Sequence, residues 1–238
     1  MYKAKGAKVI WGPMGGAQVT PKPLRVYEKN RLTATFREFV NKSCSWNPFY
    51  KKALRSYYKI YCINNETQKQ ISHIVGKDVP LMPELALRDD YKNLPILEKT
   101  NDILKIVFVG RLIGKKGIAF LVDALSLMPD GMDWELLIFG DGDDRILIER
   151  QIADSGIEKN VKLMGNRPLN QIAEAYQQAD IFVLPSLRET SGNVLLEAMA
   201  YAVPIVAFDT SFCRLLKEVE CGIFVNTEQA LEGIKEDY

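Results

Sequence analysis

The sequence predicts an α/β fold whose core is a doubly wound parallel sheet, preceded by part of a second, smaller α/β domain. Three observations carry this expectation. Runs that are apolar on both faces, such as Leu104–Val109 (LKIVFV) and Trp134–Phe139 (WELLIF), recur from Ile103 onward, as strands buried between helical layers require. Segments with helical apolar spacing stand between those runs. Polar, glycine-bearing loops follow Val109, Phe139, Met164 and Leu184, the strand ends where such sheets hold ligands.

In order along the chain, Lys8–Trp11, Lys59–Ile63 and Val79–Met82 read as strands with helical segments between them, like the back half of an α/β domain. Asp89–Thr100, polar and containing Pro95, reads as a linker. Beyond Leu104–Val109, Ile118, Leu121, Val122 and Leu125 recur at i, i+3, i+4 and i+7, the stripe of a helix. Trp134–Phe139 is the next strand, followed by a helix near Asp143–Ala153 and a strand at Val161–Met164. Leu169, Ile172, Ala173 and Tyr176 mark another stripe, Ile181–Leu184 a strand and Asn193–Tyr201 a helix. Pro204–Phe208 and Ile223–Val225 complete the strands. The expected division is residues 1–100 and 101–238.

Composition narrows the class. Of 238 residues 47% are apolar, and 31 Lys plus Arg balance 30 Asp plus Glu, which excludes a disordered or fibrous chain. The longest apolar stretch, Ala198–Phe208, contains Pro204 and is far short of the roughly 20 residues a membrane span needs. Only Val9, Ile10 and Trp11 follow the basic start before Gly12 and Pro13, too few for a signal-peptide core, so a cytoplasmic chain is expected. Cys44, Cys62, Cys213 and Cys221 form no C-x-x-C pair and, with the single His73, no zinc spacing. No metal is expected, the cysteines read as buried thiols, and His73 reads as a helix-surface residue.

The near-zero total charge hides an asymmetry: residues 1–100 carry 18 Lys plus Arg against 8 Asp plus Glu, the remainder 13 against 22. Aromatics interleave with cations in the basic part, as in Trp46, Phe49, Tyr50, Lys51, Lys52, Arg55, Tyr57 and Tyr58. Two readings stand. The segment lies on an anionic membrane surface, peripheral to the inner face, or it is a solvated helical face whose aromatics pack inward. Nucleic acid is not an expected partner, because no recognition module is visible and the net charge is only +1.

The chemistry resides in the loops. Gly110, Arg111, Leu112, Ile113, Gly114, Lys115, Lys116 and Gly117 combine glycines that permit close backbone approach with cations at a helix start, a combination suited to a diphosphate. The spacing is not that of a P-loop. Alone, a helix start with solvated lysines explains it as well. Gly140, Asp141, Gly142, Asp143, Asp144 and Arg145 begin like a dinucleotide fingerprint, but Arg145 replaces the third glycine and the acids would repel a pyrophosphate, so NAD binding is disfavoured. The loop after Leu184 carries Glu189 and Glu197 on either side of a helix start, where Gly192 and Asn193 present free N–H groups to phosphate or sugar oxygens. Glu197 is the only charge between Asn193 and Phe208 and needs a partner. Ribose hydroxyls would serve, as would a buried Arg or Lys.

Together these pieces resemble a known family. FVGRLIGKKG at 108–117, IFGDGD at 138–143, VKLMGN at 161–166, ADIFVLPS at 179–186 and ETSGNVLLE at 189–197 occur in the order and spacing of the carboxy-terminal domain of GT-B glycosyltransferases, specifically the retaining enzymes of glycosyltransferase family 4 (group 1). The resemblance implies a Rossmann-like donor domain at 101–238. It implies that Arg111 and Lys116, with Gly110, bind the donor diphosphate, and that Glu189 and the backbone around Gly192, Asn193 and Val194 bind the transferred sugar. Glu197 would take the ribose hydroxyls, and Asn166 and Arg167 would border the base. Glu189, Arg111 and Lys116 are the residues expected to carry catalysis.

VIWGPMGGAQVTP at 9–21 is similar to a loop midway through the acceptor-binding domain of some members, so residues 1–100 are expected to be a partial acceptor-side domain with about 100 residues of that domain absent. The expected activity is transfer of a hexose-like sugar from a nucleotide diphosphate sugar to a hydroxyl of a glycan or lipid-linked acceptor, with retention and without a cofactor, in polysaccharide or glycan assembly. The alternative is a truncated module that binds nucleotide sugar and turns nothing over.

Overall fold

In a computed structural model, residues 7–28, 31–84, 86–87, 91, 103–190, 192–210 and 213–227 are described. They form two compact units, one of residues 1–20 and 30–85, the other of residues 21–29 and 86–238. The short segment 21–29 therefore belongs with the second unit, although it lies among the first hundred residues. The reason is packing: Leu24, fully buried, joins Phe120, Leu187 and Phe208 in one apolar cluster. The expected linker Asp89–Thr100 lies, except for Tyr91, outside the described residues.

In the first unit, β1 (Ile10–Met14) pairs in parallel with β2 (Lys59–Cys62), with α1 (Arg31–Cys44) and α2 (Pro48–Arg55) between them in sequence and α3 (Asn65–Val75) after them. Asn47 caps α2 by accepting from the N–H of Phe49 and Tyr50 (2.9 and 3.1 Å), and Pro48 fills the first helical position, whose missing N–H costs nothing. Asn64 caps α3 through the N–H of Thr67, and Gly76, at φ +76°, ends it in the left-handed conformation. Leu54, Tyr57, Ile60, Cys62, Ile71, Ile74 and Val79 make the core. The strand expected at Val79–Met82 is reduced to a single bridge from Leu81 to Cys62.

The inward-packing reading of the basic segment holds for Tyr57, which is buried in this core, and for Tyr50, which packs against it, but not for the other aromatics. Phe36, Phe39, Trp46 and Phe49 are each at least two-thirds exposed, and Trp46 reaches 86%. Tyr57 alone of the quoted aromatics is fully buried, with its ring edge-on to Trp11. The cysteine expectation holds for Cys62 and Cys213, whereas Cys44 and Cys221 are only half-buried. His73 is exposed on α3.

The second unit is a six-stranded parallel sheet of β3 (Leu104–Val109), β4 (Trp134–Phe139), β5 (Val161–Gly165), β6 (Ile181–Leu184), β7 (Ile205–Phe208) and β8 (Gly222–Val225), in the spatial order β5-β4-β3-β6-β7-β8. The connecting helices are α4 (Ile118–Ser126), α5 (Arg145–Asp154), α6 (Leu169–Gln178), α7 (Asn193–Ala200) and α8 (Cys213–Leu216). The doubly wound expectation is met. The expected stripe of α4 is entirely buried. In α6 the buried face is turned toward Ala175 and Tyr176, and Leu169 is exposed at the helix start.

The chain winds outward from β3 through β4 to β5, then crosses back to lay β6 on the other side of β3, with Ile106 beside Ile181 and Val107 beside Phe182. Strand order thus reverses between β3 and β6. At such a switch the loops leaving two adjacent strands diverge to opposite faces, and a crevice opens at their carboxyl ends.

Candidate functional site

The loops after β3 and β6 meet at this crevice. Gly117, at φ +69°, closes the short 3-10 turn Gly114–Lys116, and a β-carbon there would collide with the carbonyl oxygen of Pro185. Only glycine permits both the left-handed conformation and the close approach. The N–H of Leu187 donates to the carbonyl of Lys115 (2.9 Å), so the two loops are stitched by backbone as well.

This stitching brings Lys116 to Glu189. The ammonium of Lys116 donates to Glu189 Oε2 at 2.6 Å, and the side chains are 15% and 7% exposed. Ser186 Oγ donates to the same oxygen at 3.0 Å, and the N–H of Thr190 donates to Oε1 at 3.0 Å. Burial pushes the Glu189 carboxyl up, but the Lys116 charge and the hydrogen bonds from Lys116, Ser186 and Thr190 outweigh it and hold the group below the usual carboxylate range. Glu189 is therefore an anion fixed in place by three donors.

Around this pair the field is positive. Lys115 lies half-buried, and burial together with the charges of Arg111, Lys116 and Arg188 lowers its pKa, against a smaller opposing effect of Glu189. Arg188 is paired with Glu28 at 2.9 Å. Arg111 is exposed on the loop after β3. Four cations near two carboxylates form a region that favours an incoming polyanion.

Gly192, at φ +67°, starts α7, and its carbonyl accepts from the N–H of Leu195. The N–H groups of Asn193 and Val194 open the first turn ahead of that bond and mark the positive end of the helix. Ser191 lies outside the described residues. Further along α7, Glu197 Oε2 accepts from the hydroxyl of Tyr176 at 3.4 Å, and the same hydroxyl lies 3.4 Å from the carbonyl of Val194. A tyrosine hydroxyl thus serves Glu197, a partner that neither the ribose nor the Arg or Lys alternative names. Tyr176 is fully buried and stacked on Tyr201, with ring centroids 5.6 Å apart. Burial, reinforced by the neighbouring Glu197, raises the Tyr176 pKa and keeps the hydroxyl protonated as a donor.

The loops after β4 and β5 close the other side. A β-carbon on Gly140 would strike the carbonyl of Gly110, and one on Gly142 that of Leu112. The N–H of Asp144 donates to Leu112 O at 3.0 Å. Arg145 turns back to Glu149 (2.8 Å) and Asp141 (3.5 Å), so the acids that disfavour a pyrophosphate on this turn are partly neutralised within it. Asn166 and Arg167 are exposed beside this loop, and Arg167 Nε donates to Met164 O at 2.8 Å.

The structure thus brings Gly110, Arg111, Lys116, Glu189, Gly192, Asn193, Val194 and Glu197 to the carboxyl ends of β3 and β6, with Asn166 and Arg167 after β5. Sequence reasoning missed Ser186, Arg188, Glu28 and Tyr176, and it named Lys115 in the diphosphate loop without giving it a role of its own. The signal for Ser186 was present, three residues before Glu189. Nothing in the local pattern of Glu28 points to Arg188, and Tyr176 read only as part of an apolar stripe.

Residues 104–236 match the family model of glycosyl transferases group 1. The amylovoran biosynthesis glycosyltransferase AmsK of Erwinia amylovora is 35% identical over 134 residues, 53% of this chain and 33% of that protein. The phosphatidyl-myo-inositol mannosyltransferase of Mycobacterium leprae is 30% identical over 211 residues, 85% of this chain and 55% of that protein. The chain spans from a third to about half the length of these curated relatives. Among solved structures, WaaG, a glycosyltransferase involved in lipopolysaccharide biosynthesis, is similar in fold with a TM-score of 0.66 at 20% identity, over 97% of this chain and 65% of that one.

Proposed function

Because the chain belongs to the group 1 glycosyl transferases, we propose that it transfers a hexose from a nucleotide diphosphate sugar to an acceptor hydroxyl with retention, as the resemblance to glycosyltransferase family 4 implies. The observation that carries this reading is the Lys116–Glu189 pair at the switch point, set among Arg111, Lys115 and Arg188 and next to the start of α7. Arg111 and Lys116 hold the donor diphosphate and stabilise the negative charge that grows on it as the glycosidic bond breaks. Glu189 and the backbone from Gly192 to Val194 hold the sugar, Glu197 takes the ribose hydroxyls, and Asn166 and Arg167 border the base. Holding donor and sugar in register supplies the orientation the reaction needs. These cations do the work a metal would otherwise do, so neither a metal nor a cofactor enters the reading.

The acceptor is a glycan or a lipid-linked saccharide in polysaccharide or glycolipid assembly, a reading supported by the named roles of the Erwinia and Mycobacterium relatives. The chain works in the cytoplasm at the inner membrane surface. Support comes from the first unit, where exposed Phe36 and Phe39 on α1, Trp46 in the turn after it and Phe49 on α2 lie among Lys42, Lys51, Lys52 and Arg55, an amphipathic, cationic surface suited to anionic headgroups. Among the described residues no helix is long and apolar enough to cross a membrane.

Isothermal calorimetry with UDP and GDP on the chain, Arg111→Ala and Glu197→Ala tests the donor site. Binding that each substitution weakens by about 1–3 kcal/mol supports it, and no binding by the folded chain removes it. Turnover with a panel of acceptors then separates the enzyme from a module that binds without reacting.

A further inference from the structure

Glu28 is remote in sequence from the donor loops, yet its Oε1 lies 2.9 Å from Arg188 Nη2, with side chains 7% and 16% exposed. The 3-10 turn Lys22–Tyr27 delivers it there. Leu24 anchors the turn against Phe120, Leu187 and Phe208, and the ring of Tyr27 stands edge-on to Phe120 with centroids 5.4 Å apart. One short turn therefore grips two consecutive residues of the loop after β6, Leu187 by apolar packing and Arg188 by charge. The next residue is Glu189. Leu187 also donates its N–H to Lys115 O, so the gripped dipeptide is the one that joins the two donor loops.

A largely buried guanidinium that loses its counter-ion is drawn to another acceptor or destabilises its surroundings. Here another carboxylate is one residue away. Freed from Glu28, Arg188 would compete with Lys116 for Glu189 and drag the loop with it. We propose that Glu28 is a positioning residue: by neutralising Arg188 it fixes the loop Pro185–Thr190, leaves Glu189 to Lys116, and so sets the affinity of the site for a nucleoside diphosphate. This rests on the donor-site reading above, but the placement of the loop can be measured without any nucleotide.

The experiment compares the full chain with Glu28→Gln, Glu28→Asp and the double variant Glu28→Gln/Arg188→Met by hydrogen exchange of the amides of 186–190, then by calorimetry with UDP and GDP. In Glu28→Gln, exchange in this loop rises several-fold while the strands 104–109 and 134–139 keep their protection, and nucleotide affinity falls about tenfold, within what a misplacement of about 1 Å costs a site. Glu28→Asp, which keeps the charge, retains part of both properties and carries the comparison if Glu28→Gln does not fold. The double variant, with no unpaired charge left, recovers loop protection. Wild-type exchange in a folded Glu28→Gln overturns the proposal, as does a loosened loop with unchanged nucleotide affinity. If the unsubstituted chain binds neither nucleotide, the donor reading fails, and the exchange data alone decide whether Glu28 positions Glu189.

Discussion

Lys116 Nζ on the loop after β3 lies 2.6 Å from Glu189 Oε2 on the loop after β6, and the two strands those loops leave are neighbours in the sheet. The pair exists because strand order reverses there. Gly117 against Pro185 and Leu187 against Lys115 bring the loops close enough for a lysine to reach.

Acid stability should report on Glu189. Its folded pKa lies below the ordinary 4.5, so its contribution is complete at pH values above that and is lost as the pH falls through the lower, folded value. Urea unfolding of the chain and Glu189→Gln between pH 3 and 7 is expected to show a stability difference that shrinks on the acid side. A difference that stays constant over this range would mean that Glu189 is not held ionised by its donors.

Lys115 should take up a proton when a diphosphate binds. Burial and the neighbouring cations lower its pKa from 10.5, and an incoming anion reverses the charge component of that shift. Calorimetry in buffers of different ionisation enthalpy is expected to show proton uptake on the alkaline side. The same uptake in Lys115→Met would assign it to another group.

Gly117→Ala should loosen the site from within the scaffold. The left-handed φ alone costs a residue with a β-carbon about 1–2 kcal/mol, and the collision with Pro185 adds to it. Both unfolding stability and nucleotide affinity are expected to drop. Gly131→Ala, also at positive φ but in open space, serves as the comparison and should lose stability without the loss in affinity.

Tyr176→Phe removes the hydroxyl that Glu197 accepts from and leaves the stacking on Tyr201 intact. A loss of about 1 kcal/mol in nucleotide affinity is expected, the usual worth of one hydrogen bond. An affinity equal to that of the unsubstituted chain would show that Glu197 needs no help from Tyr176.

Trp46→Ala combined with Phe49→Ala should weaken binding to vesicles containing anionic lipid by about 1–3 kcal/mol per buried ring. Co-sedimentation with anionic and purely zwitterionic vesicles measures it. Equal binding to both, or no effect of the substitutions, would remove the membrane reading of α1 and α2.

The strands from Leu104 to Val225 were legible because each is a short apolar run bounded by polar or glycine residues, and their parallel arrangement followed from the helices between them. The donor loops were legible as well, since glycine and charge at strand ends stand out against an apolar background. The first unit was harder to read. Val79–Met82 looks like a strand but pairs through one bridge only, and Trp46 and Phe49 are apolar side chains that the fold leaves outside.

Local patterns thus settled which residues form each element and which loops bear the chemistry, because periodicity and turn residues act over a few positions. They could not settle partners. That Lys116 rather than Lys115 takes Glu189, that Tyr176 serves Glu197, and that Glu28 holds Arg188 depend on β6 lying beside β3 and on Leu24 reaching Phe208. Those are juxtapositions between distant stretches of chain, decided when the whole apolar core packs and by nothing in the neighbourhood of any one of these residues.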